Sequence, residues 1–493
     1  MDRRNFLALS LLASGAALAA PRSLAQTSST ALLRLTLSPD KRGNPISADF
    51  TGLSYETIHL HDPWFFSSAN KEMAGFHRSL GASGVLRIGG NTSEFCVWTP
   101  DSPGVVDKNA AANLLPEVVG PHLEHSPVAQ RTITPLAIRN LRDFTDITGW
   151  KLIYGLNMGT DSPETVAEMA DYVAKTMGKK LVAFQLCNEP DLFYRNGLRA
   201  SGYDFAAFAA EWQRFFRAVR KRVPDAQFAG PDTASNTKWL APFAVRFRNE
   251  LLFLSQHYYA EGPPTDPSMT IERLLAPNPS LEVEFRAMAR TRRDTGLPFR
   301  MTETNSCYQG GKPTVSDTFA SALWGADLMY QLAAAGGTGV NFHTGGYGWY
   351  SPIAGTPKNG FLARPLYYGM LLFAQAGPGV LVGADIDHRA AAPLLTAYGV
   401  KNADGSLKTA VFNKNEDRDV RLSIYPGTPV TSASILRLYA PRADDTVDTT
   451  LGGAPVGAGG AWSAAAVETI AARDGTVTVE LPRASGALVT FGP

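Results

Sequence analysis

The chain has 493 residues, of which 18% are charged, and a formal net charge of +1. That length holds two or three domains with a large core. A charge near zero gives no footing for nucleic acid or an anionic membrane surface, and 45 glycines with 33 prolines argue against a coiled coil and for a loop-rich enzyme.

The first element is a targeting segment. Arg3 and Arg4 precede Asn5-Phe6-Leu7 and an Ala-rich apolar run to Ala20. Small residues at Ala17 and Ala19, or at Ser23 and Ala25, offer cleavage sites, so residues 1–25 read as a signal peptide. The Arg-Arg-x-Phe-Leu order resembles a bacterial twin-arginine signal; an ordinary secretory signal is the alternative. The run is short for a membrane span. Export to the periplasm or beyond is expected, with no membrane insertion once the signal is removed. Three cysteines, Cys96, Cys187 and Cys307, are too few and too odd in number for a disulfide framework. They read as small buried hydrophobes.

Residues 26–45 follow, where Ala31–Leu37 alternates like a strand and is expected to pair with a C-terminal sheet. From residue 46 to 375 one pattern repeats: apolar run, loop, amphipathic helix. Eight runs read as buried parallel strands: Phe50–Tyr55, Val85–Ile88, Leu152–Leu156, Val182–Leu186, Gln227–Ala229, Leu251–Gln256, Phe299–Glu303 and Gly339–Phe342. Between them, Ser162-Pro163-Glu164 opens a helix that stops near Gly178. Phe205, Phe208, Trp212, Phe215 and Val219 make a core-facing stripe. Another helix runs from about Ser316 to Ala335. Eight such units predict a (β/α)8 TIM barrel, an α/β fold with its site at the C-terminal strand ends. From residue 376 to 493 helical periodicity gives way to short alternating strands separated by turn signals, which predicts an appended β-sandwich.

Polar and aromatic residues cluster at the predicted strand ends. Glu56 follows strand one, and Leu86-Arg87-Ile88-Gly89-Gly90-Asn91 ends strand two. Asn188-Glu189-Pro190 follows strand four, His257-Tyr258-Tyr259 strand six, and Glu303 ends strand seven. Tyr308, Gln309 and Gly310 lie just beyond, and Tyr350 lies beyond strand eight. Two carboxyl groups on such a rim are what a retaining glycosidase needs, one to protonate the leaving oxygen and one to attack the anomeric carbon. Metal ligation is the competing chemistry. His59-x-His61 and His122-x-x-His125 invite it, but neither is the zinc-helix motif and no third ligand stands out. No Gly-rich phosphate loop follows strand one, so no nucleotide cofactor is expected, and no cofactor or metal is assigned.

The Asn-Glu-Pro signature, the Leu-Arg-Ile-Gly-Gly-Asn stretch, Cys-Asn-Glu-Pro-Asp, Thr-Glu-Thr-Asn and the C-terminal strands together resemble glycoside hydrolase family 79, the β-glucuronidases and heparanase, over nearly the whole mature chain. The likeness is strongest to bacterial exo-β-glucuronidases of that family. By that resemblance Glu189 is the acid/base and Glu303 the nucleophile. Asn188 would hold the sugar 2-hydroxyl, and Tyr259 would contact the nucleophile. Tyr308, Gly310 and Tyr350 would bind the glucuronate carboxylate, with Gln309 nearby. Arg87 would support the nucleophile from inside the barrel, and Glu56 and Asn91 would line the pocket. No Arg or Lys stands out in these loops for a uronate, but phenol hydroxyls and a backbone N–H at Gly310 can serve. The implied partner is a glucuronic-acid-containing glycan or small glucuronide, handled by a monomer with retention and an acidic pH optimum. An endo-acting heparanase-like enzyme, another retaining barrel glycosidase such as a xylosidase, and a non-catalytic glycan-binding protein are the alternatives. The loop from Thr99 to Arg131 is long enough to wall a pocket for exo action.

Overall fold

The computed structural model describes residues 32–103, 131–388 and 392–492. The signal segment, Ala31, most of the Thr99–Arg131 loop, and His122 and His125 lie outside the described residues.

Eight parallel strands close into a barrel: Thr51–Glu56, Val85–Gly89, Lys151–Gly155, Leu181–Gln185, Phe228–Ala234, Leu251–Glu261, Phe299–Cys307 and Val340–Thr344. The eighth pairs back onto the first, His343 beside Ser54. All eight expected runs are therefore strands, because continuous apolar character survives where helices cover the outer face. The helices follow local rules. Ser162 caps Pro163–Met177 by accepting the Thr165 N–H at 3.1 Å. Helix Phe205–Arg222 buries Phe208, Trp212, Phe215 and Val219.

The barrel interior is layered, and the layering places the site. Val85, Ile153, Ala183, Ala229 and Phe253, one from each of five neighbouring strands, form a small apolar floor. Side chains alternate along a strand, so positions two residues further reach the next layer up. There stand Arg87, Gln185 and Ser255, all fully buried. Two and four residues beyond Ser255 come His257 and Tyr259, so strand six lifts a ladder of polar side chains toward the C-terminal rim.

Two irregularities re-aim residues. Register slips between Met301 and Glu303 on strand seven, and between Pro231 and Thr233 on strand five. A bulge of this kind lets consecutive residues serve one face. Thr302 and Glu303 accordingly both bond groups at the barrel centre. The expectation that Glu303 ends its strand is corrected: the strand continues to Cys307, because Thr304, Asn305 and Cys307 remain buried and paired with Tyr258, Tyr259 and Glu261.

The C-terminal strands form a ten-stranded sheet among the described residues. Strand Leu32–Ile46 pairs antiparallel with Gly379–Ile386 and parallel with Val420–Tyr425. The sheet is continuous and curls, since Leu35 and Leu422 on one side share a core with Val411, Ile435 and Val489 on the other. Helices Phe319–Ala335 and Pro365–Ala376 are buried on nearly every face. They lie between the barrel and this sheet, which is why they carry no polar stripe. One polar knot joins the layers. Asp327 accepts from Lys414 (2.6 Å), Tyr398 (2.7 Å), Thr396 (2.8 Å) and Gln331 (2.9 Å), all within buried or nearly buried surroundings. Cys96, Cys187 and Cys307 are buried and unpaired.

Candidate active site

Arg87 organises the site. Its five N–H groups have five acceptors. Nε donates to Gln185 (2.9 Å), and Nη1 donates to Ser54 (3.1 Å) and to Glu303 Oε2 (2.5 Å). Nη2 donates to Asn188 Oδ1 and to Asp232 Oδ2, both at 2.8 Å. A fully buried guanidinium is tolerable only with its charge and donors matched in this way. Glu303 takes a second bond, at Oε1, from the Tyr259 hydroxyl at 2.7 Å. Burial alone would push the Glu303 carboxyl up. The charges of His343, His257 and Arg87 override it and hold the group far below the usual carboxylate range. Glu303 is an anion fixed at both oxygens, which suits an attacking carboxylate.

Glu189 reaches the same point from strand four. It sits beyond Gln185 in a short turn at φ 50°, a left-handed backbone that a glutamate seldom adopts. Two bonds hold that turn: the Glu189 N–H to Asp232 O at 2.9 Å, and the Asn188 N–H to Glu94 Oε1 at 2.5 Å. Burial pushes the Glu94 carboxyl up to about 8 despite the N–H groups of Asn188 and Gly159 that donate to it. Glu189 Oε1 lies 3.0 Å from His257 Nδ1. One oxygen of Glu189, one oxygen of Glu303 and a ring nitrogen of His257 all fall within 4.8 Å of one another.

The other expected residues gather around this pair with different degrees of freedom. Asn188 donates to Asn91 at 3.0 Å, and Asn91 is exposed at the rim. Glu56 is already engaged: it accepts from the Thr92 N–H (2.8 Å) and hydroxyl (2.7 Å), and His343 Nε2 stands 3.4 Å away. It braces His343 rather than facing open space. Tyr259 lies with its ring 6.3 Å from both Tyr308 and Tyr350. Tyr350 is buried, and its N–H approaches Gly310 O at 3.4 Å. Tyr308 is 38% exposed. Gln309, Gly310 and Gly311 run at φ 60°, 87° and 89°, and a Cβ on Gly310 would meet nothing within 4 Å, so its backbone is open to an approaching group. Lys312, two residues on, is turned away by the carbonyls of Asp266 (2.8 Å) and Met269 (2.9 Å).

Sequence reading missed Asp232 and Glu94 and gave His257 and His343 no role. Asp232 follows Gly230-Pro231 on strand five, and its inward aim comes from φ 60° and a register slip that no pattern announces. His257 and His343, which lie within strands six and eight, were visible only as members of polar runs.

Glu189, His257 and Glu303 are, among the described residues, a group with ligand atoms close enough for a metal ion. The donor set does not fit one. Both Glu303 oxygens accept bonds from Arg87 and Tyr259, and both His257 nitrogens face carboxylates. His59 and His61 are buried on separate backbone carbonyls, of Glu56 (3.0 Å) and Thr132 (3.2 Å).

No protein-family model matches the chain. It is similar to a β-glucuronidase of Aspergillus niger, 25% identical over 417 residues, which are 76% of this chain and 73% of that one. A β-glucuronidase of Neurospora crassa is 24% identical over 381 residues, 67% of this chain and 64% of the relative. In structure it resembles a 4-O-α-L-rhamnosyl-β-D-glucuronidase of Fusarium oxysporum 12S, crystallised as a Rha-GlcA complex, with a TM-score of 0.72 and 17% identity over 93% of this chain and 100% of that one. By kinship, fold and paired buried carboxyls, the chain is a barrel glycoside hydrolase related to the β-glucuronidases.

Proposed function

We propose that this protein is a family 79 exo-β-glucuronidase that removes terminal β-linked glucuronic acid with retention, through Glu303 as nucleophile and Glu189 as acid/base. The observation that carries this reading is the carboxyl pair itself, with oxygens within 4.8 Å. Retaining enzymes hold their two carboxyl groups about 5–5.5 Å apart, whereas inverting ones need about 6.5–9.5 Å for a water. Glu303 attacks the anomeric carbon, Glu189 protonates the leaving oxygen, and the deprotonated Glu189 then activates water to release the sugar.

The choice of glucuronate rests on the tyrosine-lined rim. The fungal relatives named β-glucuronidase support it. In this reading the sugar carboxylate lies against Tyr308, Tyr350 and the Gly310 N–H, and Asn188 holds the 2-hydroxyl. The catalytic unit is residues 46–375, acting as a monomer. Among the described residues no helix is long and apolar enough to cross a membrane. Export of the folded chain by the Arg3-Arg4 signal is part of the same proposal.

Incubation with an aryl β-glucuronide, followed by proton NMR of the first sugar released, tests it. Rapid hydrolysis with the β-anomer appearing first is expected. Hydrolysis of the matching β-glucoside at equal rate would remove the uronate assignment, and an initial α-anomer would remove retention.

A further inference from the structure

His257 lies below the acid/base and touches no open space, yet it meets four charged groups of the site, Glu189, Glu303, Asp232 and Arg87. Its Nδ1 is 3.0 Å from Glu189 Oε1 and 4.0 Å from Glu303 Oε2. Its Nε2 is 3.3 Å from Asp232 Oδ1 and 3.4 Å from Arg87 Nη2. Asp191 beyond Glu189 adds a further negative charge, and Glu284, on the helix behind strand six, is kept protonated by burial up to about pH 8.

Proton counting decides what the ring carries. Arg87 Nη2 has two hydrogens, and Asn188 and Asp232 take both at 2.8 Å. Arg87 has none left for His257 Nε2. That nitrogen therefore faces an acceptor, Asp232, and Nδ1 faces another, Glu189. With Asp232 ionised, Nε2 carries a proton toward it, and Nδ1 donates to Glu189 Oε1 when the Glu189 proton sits on Oε2; in that arrangement the ring is an imidazolium.

We propose that His257, locked by Asp232, is a permanent cation that positions Glu189: it holds Oε1 and leaves Oε2 for the proton that goes to the leaving group. The proposal rests on the assignment of Glu189 and Glu303 made above. Among the described residues no protein donor engages Glu189 Oε2.

Charge balance explains why a fixed cation is useful here. Four carboxyl groups, of Glu56, Glu189, Asp232 and Glu303, share the centre with three bases, Arg87, His257 and His343. With the three bases charged, the buried cluster is neutral when one carboxyl keeps a proton. Glu56 and Glu189 each have one charged partner in bonding distance, but Glu56 also accepts two bonds from Thr92, which leaves Glu189 as the member that keeps the proton. In the first step a Glu303 oxygen bonds to the anomeric carbon. The bond to the leaving oxygen breaks, and that oxygen keeps the electron pair and takes the Glu189 proton. Glu303 becomes a neutral ester as Glu189 becomes an anion, so the cluster is neutral again. The imidazolium then faces the new carboxylate that must act as base. Burial opposes charge on His257, but Asp232 and Glu303 push it up to about 10, in line with this count.

Two measurements on the full-length protein test the proposal. Nitrogen-15 NMR of the histidine-labelled protein, with His257→Asn to assign the signal, should find both His257 nitrogens protonated from about pH 5 to about pH 8. A neutral tautomer at pH 7 overturns the proposal. His257→Asn keeps a donor near Nδ1 but drops the charge. Losing a cation beside both carboxyls raises the proton affinity of each, so both limbs of the kcat/KM profile should move up by about one pH unit or more. Limbs that stay in place while the rate falls would mean a packing role and defeat the idea. If His257→Asn does not fold, His257→Gln replaces it in both experiments. Wild-type protein inactive on aryl β-glucuronides would sink the functional assignment, while the spectrum would still decide the charge on His257.

Discussion

At the residue scale, the two carboxyls differ in what surrounds them, and that difference supports the proposed roles. Glu303 is clamped by Arg87 and Tyr259 with two histidines near, whereas Glu189 has His257 alone. Glu189→Ala should therefore cripple glycosides whose leaving groups need a proton while sparing the first step on activated aryl glucuronides. Added azide should restore turnover and yield a β-glucuronyl azide; equal loss on every substrate and no azide effect would give Glu189 another task. Tyr350 tests sugar choice. Removing one hydrogen bond to a charged group costs about 1.5–3 kcal/mol, or roughly tenfold to hundredfold. Tyr350→Phe should lose that much on an aryl glucuronide and little on the glucoside. An unchanged preference ratio would mean that other groups read the carboxylate. Both glutamates were legible in the sequence because Asn-Glu-Pro and the Thr-Glu-Thr run follow apolar strands. Asp232 was not, because its position depends on a left-handed residue and a slipped register.

At the element scale, the barrel strands were legible because burial on both faces leaves an unbroken apolar run, as in Leu152 to Leu156. Gly379–Ile386 was not, since its apolar residues do not alternate with polar ones. The joining of strand Leu32–Ile46 to the C-terminal sheet was legible from its alternation, but the curl of that sheet was not. The helix Phe319–Ala335 carries Asp327, a buried carboxylate paired with Lys414 of the sheet. Lys414→Met would strand that carboxylate in a buried site, where breaking one member of an ion pair costs about 3–5 kcal/mol. The variant should unfold at clearly lower denaturant with the sheet and barrel still coupled. Stability within about 0.5 kcal/mol of wild type would show that Thr396, Tyr398 and Gln331 satisfy Asp327 without the cation.

At the scale of the whole molecule, the buried titrating groups set a stability optimum. Burial lowers His59 and His77 to about 4. These rings are neutral when folded and take protons on unfolding, so stability falls as pH drops below about 6.5. On the other side, the raised His257 contributes stability that is complete below 6.5 and lost as pH rises toward about 10. Glu94 and Glu284, pushed up to about 8 by burial, hold protons in the fold that the unfolded chain releases, so they also weaken it between about 4.5 and 8. Between about pH 4.5 and 6.5 the two histidines and the two glutamates oppose each other, so thermal unfolding should be nearly level there and decline steadily above about pH 6.5; a midpoint that rises from pH 7 to 9 would contradict these assignments. The central claim is that one buried carboxylate of a layered barrel forms a covalent bond to glucuronic acid. Its most direct test is peptide mass spectrometry after incubation with a 2-fluoro-β-glucuronide bearing a good leaving group. The account predicts one fluoroglucuronyl group per chain, on the peptide containing Glu303 and on that side chain. A label on Glu56, Glu189 or any other carboxylate, or hydrolysis without any trapped adduct, would contradict it.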